Sequence, residues 1–251
     1  MSLTALVLAG SRPGGDPLAA HAGVTHKALI EIGGRTMLER VVAALAASPQ
    51  IGRIVVAIER PELVAMLPTV GKPVVSMVAA SGPSASVAAC LQAEGTPLLV
   101  TTADHALLAP QWVEEFLAAG TAADTDVVVG LARREVVSAA APETQRTYLR
   151  FSDGDYSGCN LFLLSRPAAT GVVRLWQEIE ARRKRPLSML RRLGVSYALR
   201  YALGRLSLRE ALDRLGTLSG TRLTATLLTD GRAAIDVDKP ADLELVRRLA
   251  G

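Results

Sequence analysis

Short aliphatic runs alternate along the chain with stretches of helical periodicity. Leu3–Ala9 is apolar, stops at Gly10 and predicts a buried first strand. Turn residues follow from Ser11 to Pro17. Gly33-Gly34 leads to a helix with Thr36 as N-cap and Glu39 three positions on. Further strands are predicted over Arg53–Ile58, Val74–Val78, Pro97–Thr102 and Asp126–Leu131. Between them lie helices over Pro61–Met66, over Ser84–Ala93 behind a serine cap, and from Pro110 onward. Strand–helix–strand alternation with short connections predicts a parallel, doubly wound sheet flanked by helices.

The texture changes after residue 140. Thr147–Phe151 and Asn160–Leu164 read as strands on either side of a turn at Ser152–Asp155. A long helical stretch runs from Thr170 to about Thr217, broken near Pro186 and Gly194. Arg222–Leu228 and Ala233–Ile235 return to strand, and Pro240–Leu249 closes the chain as a helix. No Pro-, Gly- or Ser-rich linker divides these parts. The expectation is one domain over 1–251, with a basic helical insertion over 168–220.

Hydropathy and charge narrow the class. The mean hydropathy is +0.28, high for a soluble protein. Yet no apolar run approaches the roughly 20 residues of a spanning helix. No basic stretch precedes an apolar one at the N-terminus, so no signal peptide and a cytoplasmic location are expected. Cys90 and Cys159 form neither a disulfide framework nor a zinc spacing. The segment Trp176–Arg222 carries eleven Lys/Arg against four Asp/Glu, a local +7 within a net +4, leaving the rest at −3. That pattern predicts an anionic partner near one segment, not a nucleic-acid coat. Residues 187–206 mix Leu, Tyr and Arg, which suits a membrane surface, an acidic acceptor, or plain packing on the domain or a second subunit. Monomer and homodimer both remain open.

Three places carry candidate chemistry. Gly10, Gly14 and Gly15, interleaved with Ser11 and Arg12 and followed by Lys27, form a turn where a first parallel strand ends. Backbone N–H groups converge on phosphates at such turns. The spacing fits neither the dinucleotide-binding fingerprint nor the P-loop. Leu98–Thr102 then delivers Asp104 to the crevice at the carboxyl edge of the sheet. Finally, Asp236 and Asp238 are spaced by two on an extended segment before Pro240. Asp238 also suits an N-cap, which leaves Asp236 as the better candidate for a metal.

Leu8-Ala-Gly10, Arg12, Lys27, Gly33-Gly34-Arg35-Thr-Met37, Ala103-Asp104 and Asp236-Val-Asp238-Lys-Pro-Ala-Asp242-Leu resemble nucleotidyltransferases related to the molybdenum cofactor guanylyltransferases. Sugar- and alditol-phosphate nucleotidylyltransferases belong to the same superfamily. The likeness runs from residue 3 to about 248. Two departures stand out: Ser11 in place of the usual second glycine, and an arginine only two positions past Gly10.

The resemblance implies a Rossmann-like fold of the GT-A type and a nucleoside triphosphate, CTP or GTP before ATP or UTP. The nucleotide would lie over Leu8, Ala9, Gly10, Ser11, Arg12, Gly14, Gly15 and Lys27, with its base near Ser81, Gly82 and Ser86. Magnesium is implied on Asp104 and a C-terminal acid, Asp236 or Asp238, and a phosphorylated acceptor near Gly158 and Asn160. Arg12, Lys27 and Asp104 would then be catalytic. Two rival readings remain. A GT-A glycosyltransferase would normally carry a second acid after Asp104, where Ala106 stands. The other rival is a nucleotide-binding regulatory module without turnover.

Overall fold

The computed structural model of the chain describes residues 2–11, 14–181 and 194–250. In chain order the first half runs β1 (Leu3–Leu8), α1 (Pro17–His21), β2 (Glu31–Ile32), β3 (Arg35–Thr36), α2 (Met37–Ala47), β4 (Ile51–Ile58), α3 (Glu62–Ala65), β5 (Val74–Val78), α4 (Pro83–Glu94), β6 (Leu98–Thr102) and α5 (Pro110–Ala122). The second half runs β7 (Val127–Arg133), α6 (Arg134–Ala140), β8 (Leu149–Phe151), β9 (Gly154–Leu164), α7 (Thr170–Ala181), α8 (Val195–Ala202), α9 (Leu208–Ser219), β10 (Leu223–Leu227) and α10 (Pro240–Leu249).

The main sheet has the order β10-β7-β9-β6-β1-β4-β5, with β8 on β9. β1 pairs in parallel with β4 and β6, β4 with β5, and β7 with β10. The expected α/β, mainly parallel architecture of Rossmann type is therefore present, with one insertion. β9 runs antiparallel between β6 and β7, and a tight turn pairs it antiparallel with β8 as well.

Alternation along the strands sends apolar side chains to both faces. Ala5, Val7, Ile54, Val56 and Leu99 join a core with α2, α5 and α10, while Leu6, Val55, Leu98 and Val100 join one with α4 and α7. Burial on both faces explains why the strands read as continuous apolar runs. α2 begins as its sequence predicts: Thr36 Oγ1 accepts from Glu39 N–H at 3.1 Å and Glu39 accepts in return from Thr36 N–H at 2.6 Å.

Several local expectations are corrected. α4 starts at Pro83 with Gly82 as its N-cap and no side-chain cap, because Ser84 hydrogen-bonds Glu180 instead. The 233–235 strand is a 3-10 turn, Gly231–Ala234, capped by Asp230. α6 and the two-stranded hairpin β2–β3 had no distinct sequence signal. The break expected near Pro186 lies outside the described residues; Gly194 stands directly before α8.

Candidate active site

Parallel strands that end together place their following loops together, and here the loops after β1, β4, β5 and β6 meet at one edge. Ala9 N–H reaches Ala57 O and Ala103 N–H reaches Leu8 O, each at 2.9 Å. Gly10 lies under Glu59 and Ala79; a Cβ there would come 3.1 Å from Glu59 Oε1. Ser11 N–H donates to that same oxygen at 2.6 Å. Gly14 and Gly15 both take φ +93°, which a side chain would resist. Arg12 lies outside the described residues. The chain then turns through α1, where Asp16 caps Leu18 and Ala19.

His26 positions Lys27. Its Nδ1 accepts from Ala28 N–H at 3.1 Å, so the neutral ring carries its proton on Nε2, which faces Glu59 at 3.4 Å. Lys27 Nζ projects into the edge and donates to Asp104 Oδ2 at 2.8 Å and to Asp238 Oδ1 at 3.0 Å. Burial alone would lower the lysine's pKa, but the two carboxylates outweigh it and hold the ammonium above its ordinary range. The other oxygen of Asp104 is buried without a hydrogen-bond partner.

The C-terminal acids separate. Val237 N–H donates to Asp104 O at 3.0 Å, which docks this segment beside β6. Asp236 is partly buried, with Arg146 on Oδ1 and Asn160 Nδ2 on Oδ2 at 2.9 Å. Burial would raise its pKa, yet Arg146 and Asn160 hold its carboxyl below the ordinary carboxylate range. Arg146 in turn stays above its usual value against burial because of Asp236. Asp238 caps nothing: Asp242 accepts from the N–H groups of Asp238 and Lys239 and opens α10. Its side chain is 63% exposed and meets only Lys27 among its described polar contacts. Both Asp236 oxygens are thus engaged by Arg146 and Asn160, whereas the exposed carboxylate of Asp238 meets Lys27. Among the described residues, no cluster of three or more His, Cys, Asp or Glu converges on one point.

Asn160 reaches Asp236 because β9 bulges there. Register shifts between Val129 and Leu131 on the neighbouring strand, and Asn160 takes φ 49°. Asparagine tolerates that left-handed region better than most side chains. Gly158 sits two residues before it and is exposed. His105, next to Asp104, is fully buried and stacks on Trp112 with ring centroids 6.2 Å apart. Burial pushes its pKa down to about 4 against the pull of Asp236.

On the far side of the edge, Ser81 and Gly82 line a polar cavity of about 440 Å³ with Ser84, Gln177 and Glu180. Ser86 faces inward, accepting from Ala80 N–H at 2.9 Å and donating to Gly82 O at 3.1 Å, so its hydroxyl shapes the turn.

Against models of known families, residues 5–220 match the MobA-like NTP transferase domain. The chain belongs to that family. A hypothetical transferase from Thermus thermophilus is 32% identical over 97% of this chain and all of its own, with a TM-score of 0.81. Lower identities share the fold. CMP:2-keto-3-deoxy-manno-octonic acid synthetase, solved with CTP, superposes at TM-score 0.60 and 15% identity over 99% of this chain and 97% of its own. The 2-C-methyl-D-erythritol 4-phosphate cytidylyltransferase of Thermus thermophilus gives 0.54 and 18% over 100% and 99%. No curated protein matches the chain. This member of the family places its glycine loop, Lys27, Asp104 and Asp238 at one edge of the sheet.

Three residues escaped sequence reading. Glu59 follows the end of β4, and the same rule that singled out Asp104 after β6 would have found it. Arg146 and Glu180 sit in a polar loop and a helix end. Nothing local separates them from solvated charges.

Proposed function

We propose that the chain transfers a nucleoside monophosphate from a nucleoside triphosphate to a phosphorylated small molecule and releases pyrophosphate. The observation that carries this reading is the convergence of Asp104 and Asp238 on one ammonium beside the glycine loop. The unpartnered, buried second oxygen of Asp104 suits a divalent cation, since magnesium asks for one or two carboxylates and takes its remaining ligands from phosphates and water. Asp104 and Asp238 would hold it. Bound there, magnesium would neutralise phosphate charge that develops during the transfer.

The protein's own residues then position and neutralise. An oxygen of the acceptor phosphate bonds to the α-phosphorus, the bond from that phosphorus to the bridging oxygen of the β-phosphate breaks, and pyrophosphate departs. No general base is needed, because the acceptor phosphate is already ionised at neutral pH. Backbone N–H groups at Gly14 and Gly15 would cradle the β- and γ-phosphates, and the charge of Arg12 would neutralise them. Lys27, on its flexible four-carbon stem, would pair its ammonium with the same departing phosphates. Asn160, fixed by Asp236, and the open surface at Gly158 frame the acceptor. Asp236 thus serves as an anchor for Asn160 and Arg146.

The test is a thermal-shift panel of CTP, GTP, UTP and ATP with and without magnesium, followed by a pyrophosphate-release assay on the stabilising nucleotide. Stabilisation by one or two triphosphates that requires magnesium is expected, CTP or GTP first. Stabilisation indifferent to magnesium and to Asp104→Asn would overturn the reading and favour a nucleotide-binding module without turnover.

A further inference from the structure

A second cavity lies on the opposite side of β9 from the core that holds Cys159 and Leu161. It has a volume of about 510 Å³, between the sheet and helices α7 and α9, and every described residue that lines it is apolar. Val127, Val129 and Leu131 line it along β7, so it follows that strand for roughly 13 Å, at about 3.3 Å per residue. Along β9 it extends from Leu164 past Phe162 to Gly158. Asn160, which anchors to Asp236, lies between the last two. One end of the cavity therefore reaches Gly158, on the strand that frames the acceptor in the reading above.

The chemistry of the walls selects the occupant. Its described walls offer water and polar groups no hydrogen-bond partner, so an apolar occupant suits them. A peptide would bring backbone N–H and C=O groups that find no partners among the described lining residues. A hydrocarbon chain brings none. Just beyond the Leu131–Gly158 end stands Arg133, whose guanidinium donates to Asp153 O at 3.3 Å and covers the Tyr156 ring. Beside the β8 wall, where Leu149 and Phe151 line the cavity, α8 packs Tyr201 against Phe151 at 5.5 Å and hydrogen-bonds Arg150 N–H through the Tyr201 hydroxyl at 3.2 Å. The same helix and its end leave Val195, Leu199 and Leu203 more than half exposed next to Arg200 and Arg205. An amphipathic helix of that kind suits the interface of an anionic bilayer, where a lipid substrate is met.

We propose that the phosphorylated acceptor is a lipid phosphate, whose single acyl or prenyl chain lies in this cavity with its phosphate at the Gly158–Asn160 end. The inference rests on the nucleotidyl-transfer reading for the phosphate's role and on the cavity alone for the chain. The bond formed joins the lipid's phosphate oxygen to the α-phosphorus. Pyrophosphate leaves, so the product is a lipid-linked nucleoside diphosphate.

The experiment uses the full chain and a series of n-alkyl phosphates from butyl to dodecyl, titrated by calorimetry. Affinity should rise about fourfold per added methylene until the chain outgrows the cavity. Ala211→Phe and Val129→Phe, which fill it from the helix and the sheet, should each remove that dependence and leave triphosphate binding unchanged; two variants guard against one failing to fold. Location is read by quenching with 12-bromododecanoic acid, which should quench Trp176 in a Trp112→Phe background, since Trp176 lines the cavity and Trp112 belongs to the other core. Affinity independent of chain length, no quenching of Trp176, or unchanged affinity in both filled variants would overturn the proposal. A cavity closed by the chain itself or by a second copy would give those results with triphosphate binding intact. Chain-length-dependent binding without any triphosphate binding would instead overturn the nucleotidyl-transfer reading and leave the lipid site standing. Pyrophosphate release with CTP or GTP that is supported by decyl phosphate and not by butyl phosphate joins the two.

Discussion

Replacing the two C-terminal acids one at a time separates anchoring from chemistry. Asp236 and Arg146 are a largely buried ion pair, with side chains 13% and 12% exposed. Asp236→Asn keeps the shape and leaves the guanidinium without its counter-charge. Breaking one side of a buried pair costs about 3–5 kcal/mol. A domain of this size loses about 2–4 °C of Tm per kcal/mol, so a fall on the order of 6–20 °C is expected. Asp238 is mostly exposed and its ion pair to Lys27 is correspondingly weak in stability terms, worth about 0–1 kcal/mol. Asp238→Asn should therefore melt near the wild type. It should nevertheless lose roughly 10²–10³ in pyrophosphate release, the usual cost of one strong electrostatic contact to a transition state. Differential scanning calorimetry and the release assay at saturating magnesium read the two effects. Asp236→Asn that melts like the wild type but does not turn over, beside a fully active Asp238→Asn, would refute the argument and return the metal to Asp104 and Asp236.

Other expectations follow from the same geometry. Arg12→Ala and Lys27→Ala should weaken triphosphate binding far more than binding of the matching monophosphate, since lost charge pairing falls on the β- and γ-phosphates; equal weakening in titration calorimetry would assign both residues to the fold or the base. His105 has its pKa lowered to about 4 in the folded state from about 6.5, so the unfolded chain binds the extra proton between those values. Its contribution is full above pH 6.5 and is lost as pH falls toward 4, by about 3 kcal/mol. That slope should flatten in His105→Gln when unfolding is followed in chelator, and an unchanged slope would refute the assignment. Cys90 and Cys159 are buried with thiol pKa values pushed up to about 12, so neither should react with a thiol reagent at about pH 8 until the chain unfolds. Rapid labelling of the folded protein would show that one of them is open to solvent.

The sequence by itself determined the elements whose signals are local. Aliphatic runs bounded by glycine set β1, β4 and β6, because a strand buried on both faces needs nothing else to be read. The Thr36–Glu39 capping box set the start of α2, since its partners are three residues apart. The short crossovers required a parallel sheet, and the end of β6 placed Asp104 at its carboxyl edge. Tertiary structure decided whatever depends on partners distant in the chain. The two acids at 236 and 238 look equivalent in sequence. Arg146, 90 residues away, and Asn160, 76 away, claim one of them, while Lys27 claims the other from 211 residues away. Ser84 was a plausible cap until Glu180, 96 residues on, took its hydroxyl. β9 reads as an ordinary strand, and only its pairing between β6 and β7 makes it antiparallel and lets the bulge turn Asn160 toward Asp236. The apolar cavity is likewise invisible in sequence. Its walls are ordinary core residues, and the space between them is set by how far α7 and α9 stand from the sheet.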